Sequence, residues 1–314
     1  MTKMNAMFGG DGGRGFMGMP SANPGQVKGA DIVVVGAPCT TPYVSVGPYC
    51  ADAPDAIRSA FGWPGAMSHH DFDLDGPVLV NGMTAVDWGN LVCHDIDFSH
   101  NRNQLRDTVS SILAEDAVPF VLGGDDSTPI PVFSAYEGYG PICIVQLDAH
   151  IDWRDSVAGE TMGLSSNMRR ASEMPWVTDI VQVGARGIGS ARPSDYSDAT
   201  QWGVRFFPMQ VVKQTGLESI IEAIPDKSRI VLNIDIDVMD PSVVPGVIGP
   251  APGGFDYWQA VSLLKSVSER GSIVGVNLTE LMPANDLGNR GALVAARLLT
   301  VIMGQISRNK TIGS

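Results

Sequence analysis

Cysteine is scarce in this 314-residue chain: Cys39, Cys50, Cys93 and Cys143 are all it has, irregularly spaced and with no C-x-x-C pair. That excludes a disulfide scaffold and leaves no thiol pattern for zinc or redox work. Cys143 lies in an apolar run and reads as a buried thiol. Basic residues are short too, 21 Lys and Arg against 34 Asp and Glu, for a formal net charge of −13. Nucleic acid and anionic membranes select basic surfaces, so neither is the expected partner, and small cations suit the chain better. No apolar run reaches membrane-spanning length, and the first residues lack the charged and apolar regions of a signal peptide. A cytoplasmic location is the expectation.

What is present is a chain able to bury a large core, 44% apolar and 18% charged. Residues 1–29 are rich in Gly, Met and Pro without periodicity, and read as an irregular arm that stays loose or crosses a neighbouring subunit. Residues 30–314 read as a single domain. Strand-like runs fall at 32–35, 84–88, 118–122, 142–147, 179–184, 204–207, 229–234 and 273–279, short, β-branched and closed by breakers. Helical patterns lie at 102–115, 215–223, 256–269 and 289–306, the last with Leu293, Ala296, Leu298, Leu299 and Ile302 on one stripe. This alternation predicts a three-layer α/β/α fold with a mostly parallel sheet of about eight strands. The Gly/Pro-rich stretch 245–254 follows the segment densest in carboxylates, and reads as a loop of the site rather than a domain boundary.

Ligands of parallel sheets bind beyond the carboxyl ends of the strands. There the chain places Gly123-Gly124-Asp125-Asp126-Ser127, Asp148-Ala149-His150-Ile151-Asp152, Asp235-Ile236-Asp237-Val238-Met239-Asp240 and Glu280. Any one of these acids reads equally as a helix cap. Together, up to eight carboxylates and one histidine converge on one rim, and so many like charges need cations among them. Oxygen and imidazole donors suit Mn²⁺ or Ni²⁺. In extended backbone, alternate residues share a face, which groups Asp148 with His150 and Asp152, and Asp235 with Asp237.

The three segments 123–127, 148–152 and 235–246 resemble the signatures of the ureohydrolases, the family of arginase and agmatinase; Phe16–Pro20 and Ala53–Arg58 look agmatinase-like. The likeness runs from about residue 16 to 300. It implies one α/β/α domain with an eight-stranded parallel sheet, a trimeric or hexameric assembly, and two divalent metal ions per subunit. By the same resemblance Asp148 and Asp235 bridge both ions, Asp126 and Asp152 complete one, and His150 with Asp237 the other. Asp152 also handles the proton of the attacking hydroxide, while Glu280, Trp153 and Ser165 meet the substrate. For Trp153 two readings stay open, an aromatic wall of the pocket or simple packing.

Two departures stand out. Asp126 takes the place of the histidine in the usual Gly-Gly-Asp-His-Ser, which makes the ligand set one charge more negative. The stretch 162–170 carries no histidine where the family commonly has one, leaving His94 and His100 as candidates. The resemblance implies hydrolysis of a guanidino or amidino C–N bond, with agmatine-like compounds as the default. The departures keep open guanidinobutyrate, guanidine or a biguanide such as metformin; the acidic site favours a cation without a carboxylate. The rival expectation is a weakly or non-catalytic subunit supporting an active paralogue in a hetero-oligomer.

Overall fold

The computed structural model describes residues 15–23, 27–61, 66–189 and 191–309. Eight strands form one sheet: β1 (Ile32–Ala37), β2 (Ala85–Asn90), β3 (Val118–Gly123), β4 (Ile142–Leu147), β5 (Val177–Val183), β6 (Arg205–Phe207), β7 (Arg229–Asp235) and β8 (Ser272–Thr279). Their order is β2-β1-β3-β8-β7-β4-β5-β6 and every pairing is parallel. All eight anticipated strands are present. The central ones are buried on both faces, as their unbroken Val/Ile/Leu runs require.

Alternate strand residues feed two cores. Ile32 and Val34 face one and Val33 and Val35 the other. The first core is closed by α1 (Ala53–Ala60), α6 (Met209–Thr215), α7 (Glu218–Ala223), α8 (Tyr257–Arg270) and α9 (Arg290–Asn309). The second is closed by α2 (Phe98–Leu113), α3 (Pro129–Ser134), α4 (Asn167–Ser172) and α5 (Pro193–Trp202). In α9 the stripe turns out slightly rotated: Leu298, Leu299 and Ile302 are fully buried, whereas Leu293 is 41% exposed. The helix expected over 215–223 begins only at Glu218, as α7, because Gly216 at φ 77° ends the preceding and unanticipated α6 at Thr215.

Residues 1–14 and 24–26 of the expected arm lie outside the described residues. The part that is described corrects the expectation of a loose segment. Phe16, Met17 and Met19 are buried in the first core, and the Phe16 amide donates to Asp87 at 2.6 Å. Asp87 is itself held by both Arg58 Nε and Nη2, at 2.8 and 2.9 Å. Burying Phe16 alone stabilises this attachment by about 2 kcal/mol. Among the described residues, no helix is long and apolar enough to cross a membrane.

Candidate metal centre

The chain leaves β3 and returns at β4 on the far side of β8 and β7, so neighbouring connections diverge at the middle of the sheet. A crevice opens there at the carboxyl ends. Four adjacent strands, β3, β8, β7 and β4, deliver all the anticipated ligands to it. Asp126 follows β3, Asp148, His150 and Asp152 follow β4, Asp235 ends β7 with Asp237 just beyond, and Glu280 follows β8.

The side chains form two groups whose ligand atoms lie within 4.8 Å of one another: Asp148, His150, Asp235 and Asp237, and Asp126, Asp148 and Asp152. Asp148 belongs to both, which is the geometry a shared ligand needs. Asp235 joins the His150 group alone. The alternation expected for 235–237 is replaced by a tighter device. A 3-10 turn, Ile236–Val238, brings the two carboxylates round, and Asp235 Oδ1 accepts from the Asp237 amide at 2.8 Å. Asp237 in turn accepts from the Ala149 amide at 3.0 Å and meets His150 Nδ1 at 2.9 Å, locking the β7 turn onto the β4 loop. Gly249 passes over His150 so closely that a Cβ there would lie 3.0 Å from the imidazole Cε1.

Two residues of the site hold left-handed backbone that side chains rarely adopt, Asp152 at φ 45° and Glu280 at φ 68°. Such strain persists where surrounding contacts over-determine it. For Glu280 those contacts are visible. Tyr49 Oη lies 2.8 Å from both its carboxylate oxygens, and the Asp126 amide donates to Oε1 at 2.8 Å. Asp126 itself accepts from Thr279 Oγ1 at 2.6 Å and from the side-chain Nδ2 of Asn167, which also donates to Asp152 at 3.1 Å.

Electrostatics give the test of whether cations fit. Burial, then repulsion from neighbouring carboxylates, pushes Asp126, Asp148 and Asp235 well above the ordinary carboxylate range. Burial works against a charged His150, but Asp148 and Asp237 outweigh it and push the imidazole up to about 11. Glu280 rises to about 8 through burial and the charge of Asp125, with Tyr49 and the Asp126 amide pulling the other way. Acids crowded and buried to this degree, arranged as two overlapping oxygen and nitrogen sets, suit a pair of divalent cations. Of the eight carboxylates expected at the rim, two do not take part. Asp125 turns back to the Ser127 amide at 3.0 Å, and Asp240 caps its own loop through Ser242 and Gly253.

The groups open onto a cavity of about 210 Å³ whose wall includes Asp126, His150, Asp152, Asp235, Asp237 and Glu280 together with Arg154, Leu164, Ser165, Ile248 and Gly249. Ser165 and Glu280 both line this cavity. Trp153 does not. It is 2% exposed, packs edge-on against Trp202 at 6.2 Å between ring centroids, and belongs to the second core. With Asp152 turned into the cavity its neighbour is turned away, so the aromatic wall is replaced by packing. His94 and His100 pack against each other on the exposed surface, and neither lines the cavity. Tyr49, Thr279 and Asn167 enter the site without a signal in the motifs, although Asn167 does lie in the stretch that lacks the family histidine.

A buried, doubly grouped acid cluster in the central crevice of an α/β/α sheet marks a dinuclear metalloenzyme. The Arginase family model matches residues 30–304. Proclavaminate amidinohydrolase of Streptomyces clavuligerus is 28% identical over 300 residues, 93% of each chain. Its solved structure superposes with a TM-score of 0.82 at 27% identity, covering 95% of this chain and 98% of that one. Agmatinase of Pyrococcus horikoshii is 26% identical over 287 residues, 90% of this chain and 94% of its own. Guanidinopropionase of Pseudomonas aeruginosa is 29% identical over 223 residues, 68% of each chain. The chain belongs to the arginase family, and is a metal-dependent hydrolase acting on C–N bonds, a ureohydrolase.

Proposed function

We propose that this ureohydrolase cleaves a compact guanidine or biguanide carrying no second cationic group, metformin being one example of the class. The observation that supports catalysis most directly is Asp148 shared between two buried ligand groups with Glu280 beside them. Asp126, Asp148 and Asp152 would hold one ion, and Asp148, His150, Asp235 and Asp237 the other, with Mn²⁺ and Ni²⁺ both suited to these donors. When bound, the pair lowers the pKa of water enough to supply hydroxide near neutral pH. The protein does the rest. Glu280, fixed by Tyr49 and the Asp126 amide, takes the substrate's guanidinium in a charge-assisted contact. Attack forms a C–O bond at the central carbon and breaks one C–N bond. Asp152, held by Asn167, receives the proton of the nucleophile and returns it to the leaving amine, giving a urea-type product and a free amine.

The substrate class is argued from the cavity wall. Apart from His150, Arg154 is the one basic side chain among the described residues lining it, and the neighbouring Asp155 pairs with Arg170 instead, at 2.8 Å. The distal ammonium of agmatine would be held near the Arg154 guanidinium, whereas an alkyl substituent meets Leu164 and Ile248. Arg154→Ala is expected to raise kcat/KM for agmatine by about tenfold relative to metformin, a difference near 1.4 kcal/mol. An unchanged ratio would remove Arg154 from the specificity argument.

The decisive test is urea-type product and amine release from metformin, guanidine, agmatine and guanidinobutyrate, with protein reconstituted in Mn²⁺ or Ni²⁺. No turnover of any of them, with two ions bound per chain, would favour the supporting-subunit reading. Asp126 has its own check. Asp126→His makes the ligand set less negative, so metal binding should persist while the pH–rate profile moves to lower pH. An unmoved profile would count against Asp126 as a ligand.

A further inference from the structure

Strands covered on both faces are expected to be apolar, yet one row of this sheet consists of amides. Gln182 on β5 pairs in register with Gln146 on β4, Gln146 with Asn233 on β7, and Asn233 with Asn277 on β8. All four side chains are at most 1% exposed. Gln146 and Asn233 lie two residues before Asp148 and Asp235.

The β4–β5 half of the row has a defined polarity. Gln146 Nε2 donates to Asp148 Oδ2 at 2.6 Å, and its Oε1 accepts from Gln182 Nε2, which also donates to the Ile151 carbonyl at 2.9 Å. Both ends of this relay are acceptors, a carboxylate and a backbone carbonyl, so neither amide can turn over without setting like against like. The two anchor points, Asp148 and Ile151, flank His150. One pair of glutamines thus grips the first carboxylate of the ligand segment and its turn together. The remaining oxygen, Asp148 Oδ1, is set by the His150 amide at 2.5 Å.

We propose that Gln146 and Gln182 are positioning residues that hold Asp148 in the orientation in which it belongs to both ligand groups. The inference rests on the dinuclear reading above. Partners of this kind, one bond removed from the metal, typically change metal affinity 10–100-fold when lost.

The test is Mn²⁺ titration into EDTA-stripped, dialysed protein, followed by the EPR signal of free Mn²⁺, beside the melting temperature of the metal-free protein. In Gln146→Leu the Gln182 amide keeps its bond to Ile151, so the metal-free melting temperature should stay within a few degrees of the parent. At least one Mn²⁺ should bind about 10–100-fold more weakly. The double variant Gln146→Leu/Gln182→Leu leaves neither glutamine unpaired, and carries the test if the single variant folds poorly. It should show the same loss. Parental Mn²⁺ affinity in either variant overturns the inference while leaving the metal centre standing. A parent protein that takes up no Mn²⁺ overturns both, so the two failures are distinguishable.

Discussion

Asp148→Asn is expected to cost the protein both metal ions and reduce guanidino hydrolysis by roughly 10³-fold or more. The size of the effect follows from position. Asp148 is the one side chain common to both ligand groups, and it is 1% exposed, so no water can take over its role. The substitution keeps the shape but removes the charge. It also introduces an NH₂ where both carboxylate oxygens now accept, Oδ2 from Gln146 and Oδ1 from the His150 amide. Either orientation of the new amide sets donor against donor. Asp237→Asn should act on the His150 group alone and leave one ion in place. Asp240→Asn, on a residue that caps its own loop outside both groups, should change neither metal content nor rate. Metal analysis alongside urea-type product release reads all three. An Asp148→Asn protein that retains two ions would show that Asp148 is not shared between them.

The strands were legible because each is a short, β-branched, buried run, and a parallel sheet leaves such runs no polar face to blur them. The candidate ligands were legible for a related reason. They sit in fixed offsets after strands, and strand ends set their place before any tertiary contact is known. The helices missed by periodicity were short, such as α3 with two prolines in six residues and α4 with six residues in all. Runs that brief cannot display a repeat of 3.6. Partners supplied by register were not legible at all. Gln146 meets Gln182 across 36 positions, and Tyr49 meets Glu280 across 231, and no local pattern encodes either. Trp153 illustrates the converse. Its place in the motif was visible, but the side of the loop it faces depends on the left-handed turn at Asp152.

Metal removal should destabilise the protein, and increasingly so as the pH rises. In the metal-free protein the carboxyls of Asp126, Asp148 and Asp235 are raised from an ordinary value of 3.8, chiefly by burial, so above that pH the folded state holds protons the unfolded chain has released. Their stabilising contribution is full below 3.8 and is lost as pH climbs toward their folded values. Glu280, raised from 4.5 to about 8, follows the same course. His150, raised from 6.5 to about 11, has the same sign: its contribution is complete below 6.5 and drains away as pH rises through 11. The carboxyls therefore make metal-free stability fall from pH 5 upward, and His150 adds to the fall above 6.5. Divalent cations reverse the slope, because they bind the deprotonated donors and displace those protons. Mn²⁺ at a hundredfold excess over Kd stabilises by about 2.7 kcal/mol per site. With about 2–4 °C per kcal/mol for domains approaching this size, two sites should lift Tm by on the order of 10 °C. Calorimetry at pH 5, 6.5 and 8, in EDTA and in Mn²⁺, should show a gap that widens with pH. A gap that narrows would mean that the buried acids already neutralise one another with shared protons, and that cations are not what the cluster was built to hold.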